Sequence, residues 1–247
     1  MNRDTILQTI RQERELLETS INQLIKDRIK YIPIASKELM PYGWRKAGKG
    51  RTVWRIIEEV ISQNLEMYGS QYGFKSVSPA QSEVGVYDFE FDLQSGAKSF
   101  VNIKSAVIDG KVNKDDISKA IGLIDFLEEN VDCKLYVATF LIRFTDDMHV
   151  ELVKCLVCPT TWIPDVYVNP SNNGNLQSSK YKDLTAMVPR TNAEFLIELK
   201  EQNKIAKLGG KTKIQKLVDK EVKAGKNTDQ IARSLELSTA QLKGILK

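Results

Sequence analysis

The chain has 247 residues, 42% of them hydrophobic, which is enough for one folded domain with a real core and a small appendage. Its net charge of +4 is unevenly distributed: residues 200–247 hold twelve Lys and Arg against five Asp and Glu, or +7, which leaves −3 for residues 1–199. The single histidine excludes histidine-pair nucleases and multi-histidine metal centres within one chain.

The cysteines and the hydropathy indicate where the protein works. Three unevenly spaced cysteines argue against a disulfide framework and favour a reducing compartment. No apolar run approaches the roughly 18 residues of a membrane-spanning helix, and the first residues lack the apolar stretch of a secretory signal. We therefore expect a cytoplasmic protein without a membrane partner. The basic C-terminal segment favours a polyanionic partner such as nucleic acid, although a merely soluble helical tail has the same composition.

A helix and a basic loop begin the chain. Residues 3–29 have apolar side chains near helical spacing and predict a helix, either a core helix or a dimer contact, that Pro33 stops or kinks. Residues 41–51 predict a loop with two aromatic residues, four cations and no acid. The cations are candidate contacts for DNA phosphates, and the alternative is a solvated flexible loop. They are Arg45, Lys46, Lys49 and Arg51.

The next predicted helix carries two glutamates of interest. Residues 52–68 have an apolar stripe at i, i+3, i+4 spacing, and Glu58 and Glu59 lie on opposite margins of that stripe. A glutamate at the margin of a helix can lean over a neighbouring sheet. Either residue is therefore a candidate for completing a metal site, and the alternative is that both face water.

Two short segments then predict a β-hairpin. Residues 86–93 and 99–105 both alternate with a period of two, which is typical of half-buried strands, and the stretch between them contains a glycine. Asn102 and Lys104 share one face of the second strand. In the first strand, one face holds Tyr87, Phe89, Phe91 and Leu93, and the other holds Asp88, Glu90 and Asp92.

The register of the hairpin decides which polar side chains meet. If the hairpin is symmetric about Gly96, Asp88 lies across from Lys104 and Glu90 across from Asn102, with Cβ atoms about 4.5–5.5 Å apart. One patch then holds two carboxylates, an amide and an ammonium, which suits a divalent metal and a phosphate. The alternative is an edge hairpin with a solvated polar face, in which Asp88 and Lys104 form an ordinary cross-strand ion pair.

The elements that follow predict an α/β core. Residues 115–129 predict a helix, and residues 133–144 form a near-continuous apolar run that is typical of a strand buried on both sides and reached by a crossover helix. Residues 150–157 predict its antiparallel neighbour. Together these elements predict a mixed sheet with helices packed on it. Residues 159–189 predict a long loop, a kind of segment that is often functional.

The C-terminal part predicts a separate helical domain. A helix over residues 191–208, capped by Thr191 or Asn192, is followed by a boundary at Gly209-Gly210. We therefore assign residues 1–208 to the main domain and residues 211–247 to a small trihelical one.

Within the small domain, residues 211–224, 227–235 and 238–246 predict three short helices. Residues 227–246 resemble a helix-turn-helix, and a small trihelical bundle for protein contacts is the alternative. In the helix-turn-helix interpretation, the second helix of the motif presents three side chains to a DNA groove. They are Thr239, Gln241 and Lys243.

The hairpin also carries a resemblance to a known family. Asp88, thirteen intervening residues and then Asn102-Ile-Lys104 look like the PD-(D/E)xK signature of restriction-type endonucleases. The match covers roughly residues 50–145, because a helix precedes the hairpin and a helix and a buried strand follow it. Tyr87 replaces the proline of the signature, and Asn102 replaces its usual acid. The resemblance implies a restriction-endonuclease-like mixed β-sheet core flanked by helices.

The resemblance also implies roles for the hairpin residues. Asp88 would bind Mg²⁺, and Lys104 would orient or activate the attacking water and stabilise the developing phosphate charge. Asn102 would ligate Mg²⁺ through its amide oxygen, since this ion accepts oxygen ligands and keeps several waters. We expect Glu90, across the hairpin, to restore the missing carboxylate, and Glu59 to be the helical member of the catalytic set, with Glu58 left open.

The implied function is a type II restriction endonuclease that hydrolyses phosphodiester bonds in double-stranded DNA with Mg²⁺. Such enzymes usually read palindromes, so a homodimer with one active site per strand is implied. Two alternatives stay open. One is a repair or junction-resolving nuclease of the same fold, and the other is a non-catalytic DNA-binding protein that acts through the C-terminal helices.

Overall fold

A mixed α/β fold is formed by two sheets and seven α-helices among the residues that the computed structural model describes, which are 2–45, 53–80, 85–93, 98–108 and 114–246. The strands are β1 (Tyr31–Pro33), β2 (Phe74–Pro79), β3 (Phe89–Leu93), β4 (Lys98–Val107), β5 (Asp115–Lys119), β6 (Lys134–Phe144), β7 (His149–Pro159), β8 (Tyr167–Asn169) and β9 (Asn175–Ser178). The helices are α1 (Arg3–Leu24), α2 (Val53–Tyr68), α3 (Ala120–Glu129), α4 (Asn192–Lys207), α5 (Lys211–Lys223), α6 (Thr228–Ser234) and α7 (Thr239–Ile245).

The larger sheet has six strands in the order β1-β7-β6-β4-β3-β2. β4 and β6 are parallel, and the other neighbouring pairs are antiparallel. A parallel pair needs a crossover connection, which here contains α3. The smaller sheet is antiparallel, with the order β5-β9-β8.

The central strand β4 separates two apolar clusters. Val101 and Ile103 of β4 belong to the cluster that also contains buried residues of α1 and α2. Phe100 points to the opposite face and joins the cluster formed with α3 and α4. Because successive side chains of a strand alternate between faces, β4 is covered on both sides by helices.

A buried carboxylate connects α1 to the sheet. Glu13 is only 5% exposed and accepts hydrogen bonds from the hydroxyls of Ser99 and Tyr136. The Lys134 ammonium also donates to Glu13, at 2.5 Å. Burial of the phenol first, and then the negative charge of Glu13, raise the pKa of Tyr136. Glu13 therefore attaches α1 to both β4 and β6.

Most of the elements predicted from periodicity are confirmed. The helix predicted over residues 3–29 is α1 continued by a π-helical turn, Ile25–Ile29, and the helix predicted over 52–68 is α2. The strands predicted over 133–144 and 150–157 are β6 and β7, and they pair antiparallel. Their apolar patterns are long enough to be unambiguous.

Two predictions between residues 115 and 189 were wrong in part. Residues 115–119 form β5 instead of the first turns of a helix, because they pair with β9. Residues 159–189 are not one long loop, since they contain the hairpin of β8 and β9. Asp116 explains the pairing: its carboxylate accepts hydrogen bonds from the amide side chains of three residues of this hairpin region. They are Asn172, Asn175 and Gln177.

The C-terminal helices form where they were predicted. α4 begins with a capping box between Thr191 and Glu194, and two residues with positive φ, Gly209 at +88° and Gly210 at +86°, end it. α5, α6 and α7 then share a third apolar cluster, which also includes Ile205 of α4. The helix-turn-helix interpretation of these helices stays a prediction. Within the described part of the chain, none of the helices combines the length and the apolar character needed to cross a bilayer.

Candidate active site

An open cleft of about 240 Å³ lies where α2 faces the start of β3 and the middle of β4. The described residues that line it include four from α2 and three from the hairpin. They are Arg55, Glu58, Glu59, Ser62, Tyr87, Asp88 and Ile103. The cleft therefore brings Asp88 together with Glu58 and Glu59 of α2, and it adds Arg55, which was not predicted from the sequence.

Asp88 is held in this cleft by bonds to both neighbouring strands. Its backbone N–H donates to the carbonyl of Val101 on β4, and its carbonyl accepts from the N–H of Ala80, which follows β2, both at 2.8 Å. Its carboxylate accepts a hydrogen bond from the backbone N–H of Ile103 at 2.5 Å. Backbone hydrogen bonds to the segments on either side thus fix Asp88, while its carboxylate remains accessible from the cleft.

The register of the hairpin differs from the predicted one by two residues. Phe89 pairs with Val101 and Glu90 with Phe100, so Asp88 is level with Asn102 when the pairing is extended by one residue. The prediction that Glu90 lies across from Asn102 was therefore wrong. A slip of two residues keeps every side chain on its face, so strand alternation cannot choose between the two registers.

The residues predicted to share one face of the first hairpin strand do so, with one exception. Phe89, Phe91 and Leu93 are buried together, as alternation predicts. Tyr87 does not join them, because its ring lies 4.7 Å from that of Phe100 on the opposite side of the sheet. The regular strand begins only at Phe89, after a bend at Asp88, and this bend turns Tyr87 to the other face.

Glu58 is the glutamate of α2 that interacts with Asp88. Burial first, and then the charge of Asp88, raise the pKa of Glu58 to about 7, while the positive charges of Lys104 and Arg55 act in the opposite direction. At neutral pH this carboxyl is poised between its two protonation states. Loss of surrounding water also raises the pKa of Asp88, against the hydrogen bond from Ile103 and the charges of Lys104 and Arg55.

Glu59, the helical residue chosen from the sequence, lies on the exposed side of α2 at the rim of the cleft. Its carboxylate accepts a hydrogen bond from Nε2 of Gln63 at 2.7 Å. Successive helical residues are about 100° apart, so only Glu58 is adjacent to the buried stripe of Ile57 and Ile61. The placement of both glutamates at the margins of that stripe was wrong for Glu59.

Lys104 is a half-buried ammonium surrounded by acids. Burial lowers the pKa of Lys104, and the negative charges of Asp88, Glu58, Asp116 and Asp115 raise it, in that order. The first two acids belong to the cleft, and the other two belong to β5. The partner from the hairpin was predicted from the sequence, whereas the partners from β5 were not, because residues 115–119 were assigned to a helix.

Asn102 is buried beside this group with one oxygen unsatisfied. The residue is 8% exposed, and its Nδ2 donates to the carbonyls of Val86 at 3.0 Å and Ile117 at 3.3 Å. No described residue hydrogen-bonds to its Oδ1. A buried acceptor without a partner is costly, so this oxygen is a candidate for contact with a bound group.

Arg55 is a cleft residue that was not predicted from the sequence. Its side chain is exposed, and its guanidinium lies 4.5 Å from the ring of Trp54. Its charge also acts on both Glu58 and Asp88. The signal in the sequence is the spacing of Arg55 and Glu58, since residues three apart are neighbours on a helix.

The predicted DNA contacts are only partly described. Arg45 is exposed, with its guanidinium 5.5 Å from the ring of Tyr42. Lys46, Lys49 and Arg51 lie outside the described residues. The structure therefore places one of the four predicted loop cations, Arg45.

The donor atoms of the cleft are compatible with Mg²⁺. Asp88 and Glu58 supply carboxylates whose pKa values are both raised, so a cation between them would relieve the cost of ionising them. The N–H and C=O of one strand residue point the same way, so the carbonyl of Ile103 also points to the side of Asp88. Over the described ranges, no group of three or more His, Cys, Asp or Glu side chains is arranged to hold a metal ion.

Comparison of the sequence with protein-family models and with curated proteins finds no match. The functional argument therefore depends on the residues of the cleft and their chemistry.

Proposed function

We propose that the protein is a Mg²⁺-dependent endonuclease of the PD-(D/E)xK type that hydrolyses phosphodiester bonds in double-stranded DNA. The observation that carries this proposal is that Glu58 of α2 and Asp88 line one cleft at the part of β4 that carries Lys104, whose positive charge acts on both acids. Perturbed pKa values in a cleft are typical of functional sites.

The acids of the cleft would hold the cation. Asp88 and Glu58 would provide carboxylate oxygens, with the Ile103 carbonyl and the unsatisfied oxygen of Asn102 as further candidates. Mg²⁺ needs only one or two carboxylates, because it keeps several waters. A cation bound there would supply positive charge to the phosphoryl oxygens as the reaction proceeds. This assignment replaces Glu59 with Glu58 and removes the reason for including Glu90.

Lys104 and Arg55 would act on the substrate. Lys104 would donate hydrogen bonds to the attacking water or to a phosphoryl oxygen, and the acids around it favour its protonated form. Arg55 is exposed at the mouth of the same cleft, where it would attract and orient a phosphate. Binding of the cation would require Glu58 to lose its proton, which makes cation affinity dependent on pH.

The finer assignment is a type II restriction endonuclease. Cutting both strands at a palindrome needs two such clefts related by two-fold symmetry, so we propose a homodimer on DNA. Sedimentation of the protein with and without duplex DNA tests this assignment. A protein that stays monomeric in both conditions and nicks a single strand contradicts it.

A second candidate is a DNA-binding protein without catalysis. It is favoured by Asn102, which stands where the family signature has an acid and so removes a negative charge from the site. In this case the basic C-terminal segment would carry the function. The same cleft would then serve as a structural cluster.

Incubation of the protein with plasmid DNA, in Mg²⁺ and in EDTA, tests these candidates together. Discrete fragments that form only with Mg²⁺, and not with the Asp88→Asn variant, support the restriction endonuclease. Cutting confined to branched or damaged substrates supports a repair or junction-resolving nuclease. A gel shift without cutting in any divalent metal contradicts the enzyme and supports the second candidate.

A further inference from the structure

Two of the three α7 side chains predicted to contact DNA bases instead form hydrogen bonds within the C-terminal domain. The hydroxyl of Thr239 donates to Asp229 at 2.7 Å, and Oε1 of Gln241 accepts from the backbone N–H of Ser238 at 2.8 Å. Gln241 is thus part of the capping box that begins α7. Of the three predicted residues, Lys243 is exposed and has no such role.

A different helix of the same domain carries most of its positive charge. α5 holds five of the lysines of the segment, and four of them are spaced i, i+3, i+7 and i+10. At about 100° per residue, this spacing places all four in one stripe along the helix. The four lysines are exposed, and we call them the α5 lysine stripe. They are Lys213, Lys216, Lys220 and Lys223.

The opposite face of α5 is buried in the domain. Ile214 and Val218 belong to the third apolar cluster, so α5 is anchored by one face and presents the lysine stripe on the other. The helix cannot use Ile214 and Val218 to enter a membrane without unpacking the domain. The stripe is therefore an exposed, positively charged surface on a helix whose other face is packed in the domain.

The lysine stripe is not neutralised by neighbouring acids. None of its members is ion-paired to a residue that the structure describes. The two acids of α5 have other partners: Glu221 pairs with Lys226, and Asp219 accepts a hydrogen bond from Gln215 at 2.9 Å. Uncompensated charge on one face raises the local concentration of a polyanion and accelerates its association.

We propose that the α5 lysine stripe binds the sugar–phosphate backbone of duplex DNA. The stripe extends over about 15 Å of helix axis, at about 1.5 Å per residue. One strand of B-DNA presents about four phosphates over that distance, at about 3.4 Å each. Evenly spaced lysines without planar or amide donors contact phosphates and do not read bases, so the stripe supplies affinity and orientation. This inference rests on the proposed function for its partner, because it assigns the duplex of that function to a second surface.

The test compares two variants of the full-length protein. The stripe variant carries Lys213→Gln, Lys216→Gln, Lys220→Gln and Lys223→Gln. The matched control carries four such changes at exposed lysines of the main domain, Lys26, Lys75, Lys154 and Lys180. Glutamine keeps helix propensity and removes charge, and both variants have the same net charge. Circular dichroism confirms that both are folded.

Binding of a fluorescein-labelled duplex is measured by anisotropy in EDTA, between about 50 and 200 mM salt. Each phosphate contact contributes about −0.9 to the slope of log K against log salt, so the stripe variant should lose about 3 to 4 of that slope. The control should keep the wild-type slope. Equal slopes for the stripe variant and wild type, or equal losses in the two variants, overturn the proposal. Loss of binding to anionic lipid vesicles, with binding to the duplex retained, assigns the stripe to a membrane and also overturns it.

Cleavage of plasmid DNA in Mg²⁺ separates this inference from the proposed function. If the wild-type protein cleaves DNA but the stripe variant keeps the wild-type slope of log K against log salt, the stripe proposal fails and the proposed nuclease activity is supported. If the stripe variant loses the slope but the wild-type protein never cuts, the stripe stands and the nuclease fails. Chemical acetylation supports the assignment independently if the duplex protects the four lysines in the wild-type protein.

Discussion

The carboxylate of Asp88 accepts a hydrogen bond from the backbone N–H of Ile103, with 2.5 Å between Oδ2 and N. Ile103 lies between Asn102 and Lys104, so this bond ties the residue before β3 to the part of β4 that carries the ammonium. A hydrogen bond to an ionised carboxylate holds one oxygen in place and favours the charged form. The second oxygen of Asp88 stays available to a cation in the cleft.

Asp88→Asn should lower the rate of Mg²⁺-dependent cleavage by at least about 100-fold, comparable to the loss of one electrostatic catalytic group. The amide still accepts the hydrogen bond from Ile103 but has no charge to offer a cation. Glu90→Gln is the matched control two residues further along the chain, and we expect its rate to stay within a few-fold of wild type because Glu90 pairs with Phe100. A large loss in Glu90→Gln with an intact rate in Asp88→Asn contradicts this assignment. The measurement is the initial rate of plasmid cleavage.

Glu58→Gln and Glu59→Gln should differ sharply although the residues are adjacent. Glu58 interacts with Asp88, whereas Glu59 accepts a hydrogen bond from Gln63 on the exposed side of α2. We expect Glu58→Gln to raise the Mg²⁺ concentration needed for half-maximal cleavage about tenfold or more. Glu59→Gln should leave it unchanged. Equal Mg²⁺ titrations for the two variants would remove Glu58 from the cation site.

Glu58 should also make stability depend on pH in the absence of a divalent cation. Its pKa is about 7 in the folded protein against 4.5 for a model glutamate, so between these values the folded state binds more protons than the unfolded state. The free energy of unfolding therefore falls as pH rises through this window.

Replacing Glu58 with Gln removes this effect. The variant should gain about 1–3 kcal/mol over wild type at pH 8 and nothing at pH 4, measured by urea denaturation in EDTA. Mg²⁺ at pH 8 should stabilise the wild type more than the variant. The same difference at both pH values would mean that Glu58 is not a carboxyl with a raised pKa.

Lys104→Met should reduce cleavage by at least about 100-fold while binding of the duplex in EDTA changes much less. Methionine fills similar space but has no charge for the phosphate or the attacking water. Lys75→Met is the control, since Lys75 is an exposed lysine that pairs with Asp92 at 3.6 Å on the neighbouring strands. Parallel losses of binding and cleavage in Lys104→Met would indicate a structural role. Single-turnover cleavage and anisotropy titrations provide the two quantities.

Glu13→Ala should cost about 3–5 kcal/mol of unfolding free energy, because it leaves the ammonium of Lys134 without its buried partner. Glu15→Ala is the matched control on α1, since the Glu15 side chain is 59% exposed and its pairing with Arg14 contributes little. Thermal and urea denaturation at neutral pH measure both. A cost for Glu13→Ala no larger than that for Glu15→Ala would contradict the anchoring of α1 by this carboxylate.

The local patterns of the sequence determined most elements of the main sheet and helices. α1, α2 and β6 follow from apolar periodicity, because a long stripe can be buried in only one way. The capping boxes at Thr191, Asn227 and Ser238 bear out the starts predicted for three helices from short polar signals. Asp88 and Lys104 were predicted to lie opposite each other and to share a site. The pairing of β3 with β4 instead places Asp88 level with Asn102, and the joint role of Asp88 and Lys104 stays a prediction.

Only the tertiary structure decided how these elements meet. The register of β3 on β4 depends on packing along the whole pair, since a slip of two residues preserves every face. The choice of Glu58 over Glu59 depends on which side of α2 the sheet covers, and the engagement of Thr239 and Gln241 depends on their neighbours α6 and Ser238. The assignment of β5 depends on the distant strand β9. In each case local periodicity leaves two arrangements open, and a long-range contact selects one of them.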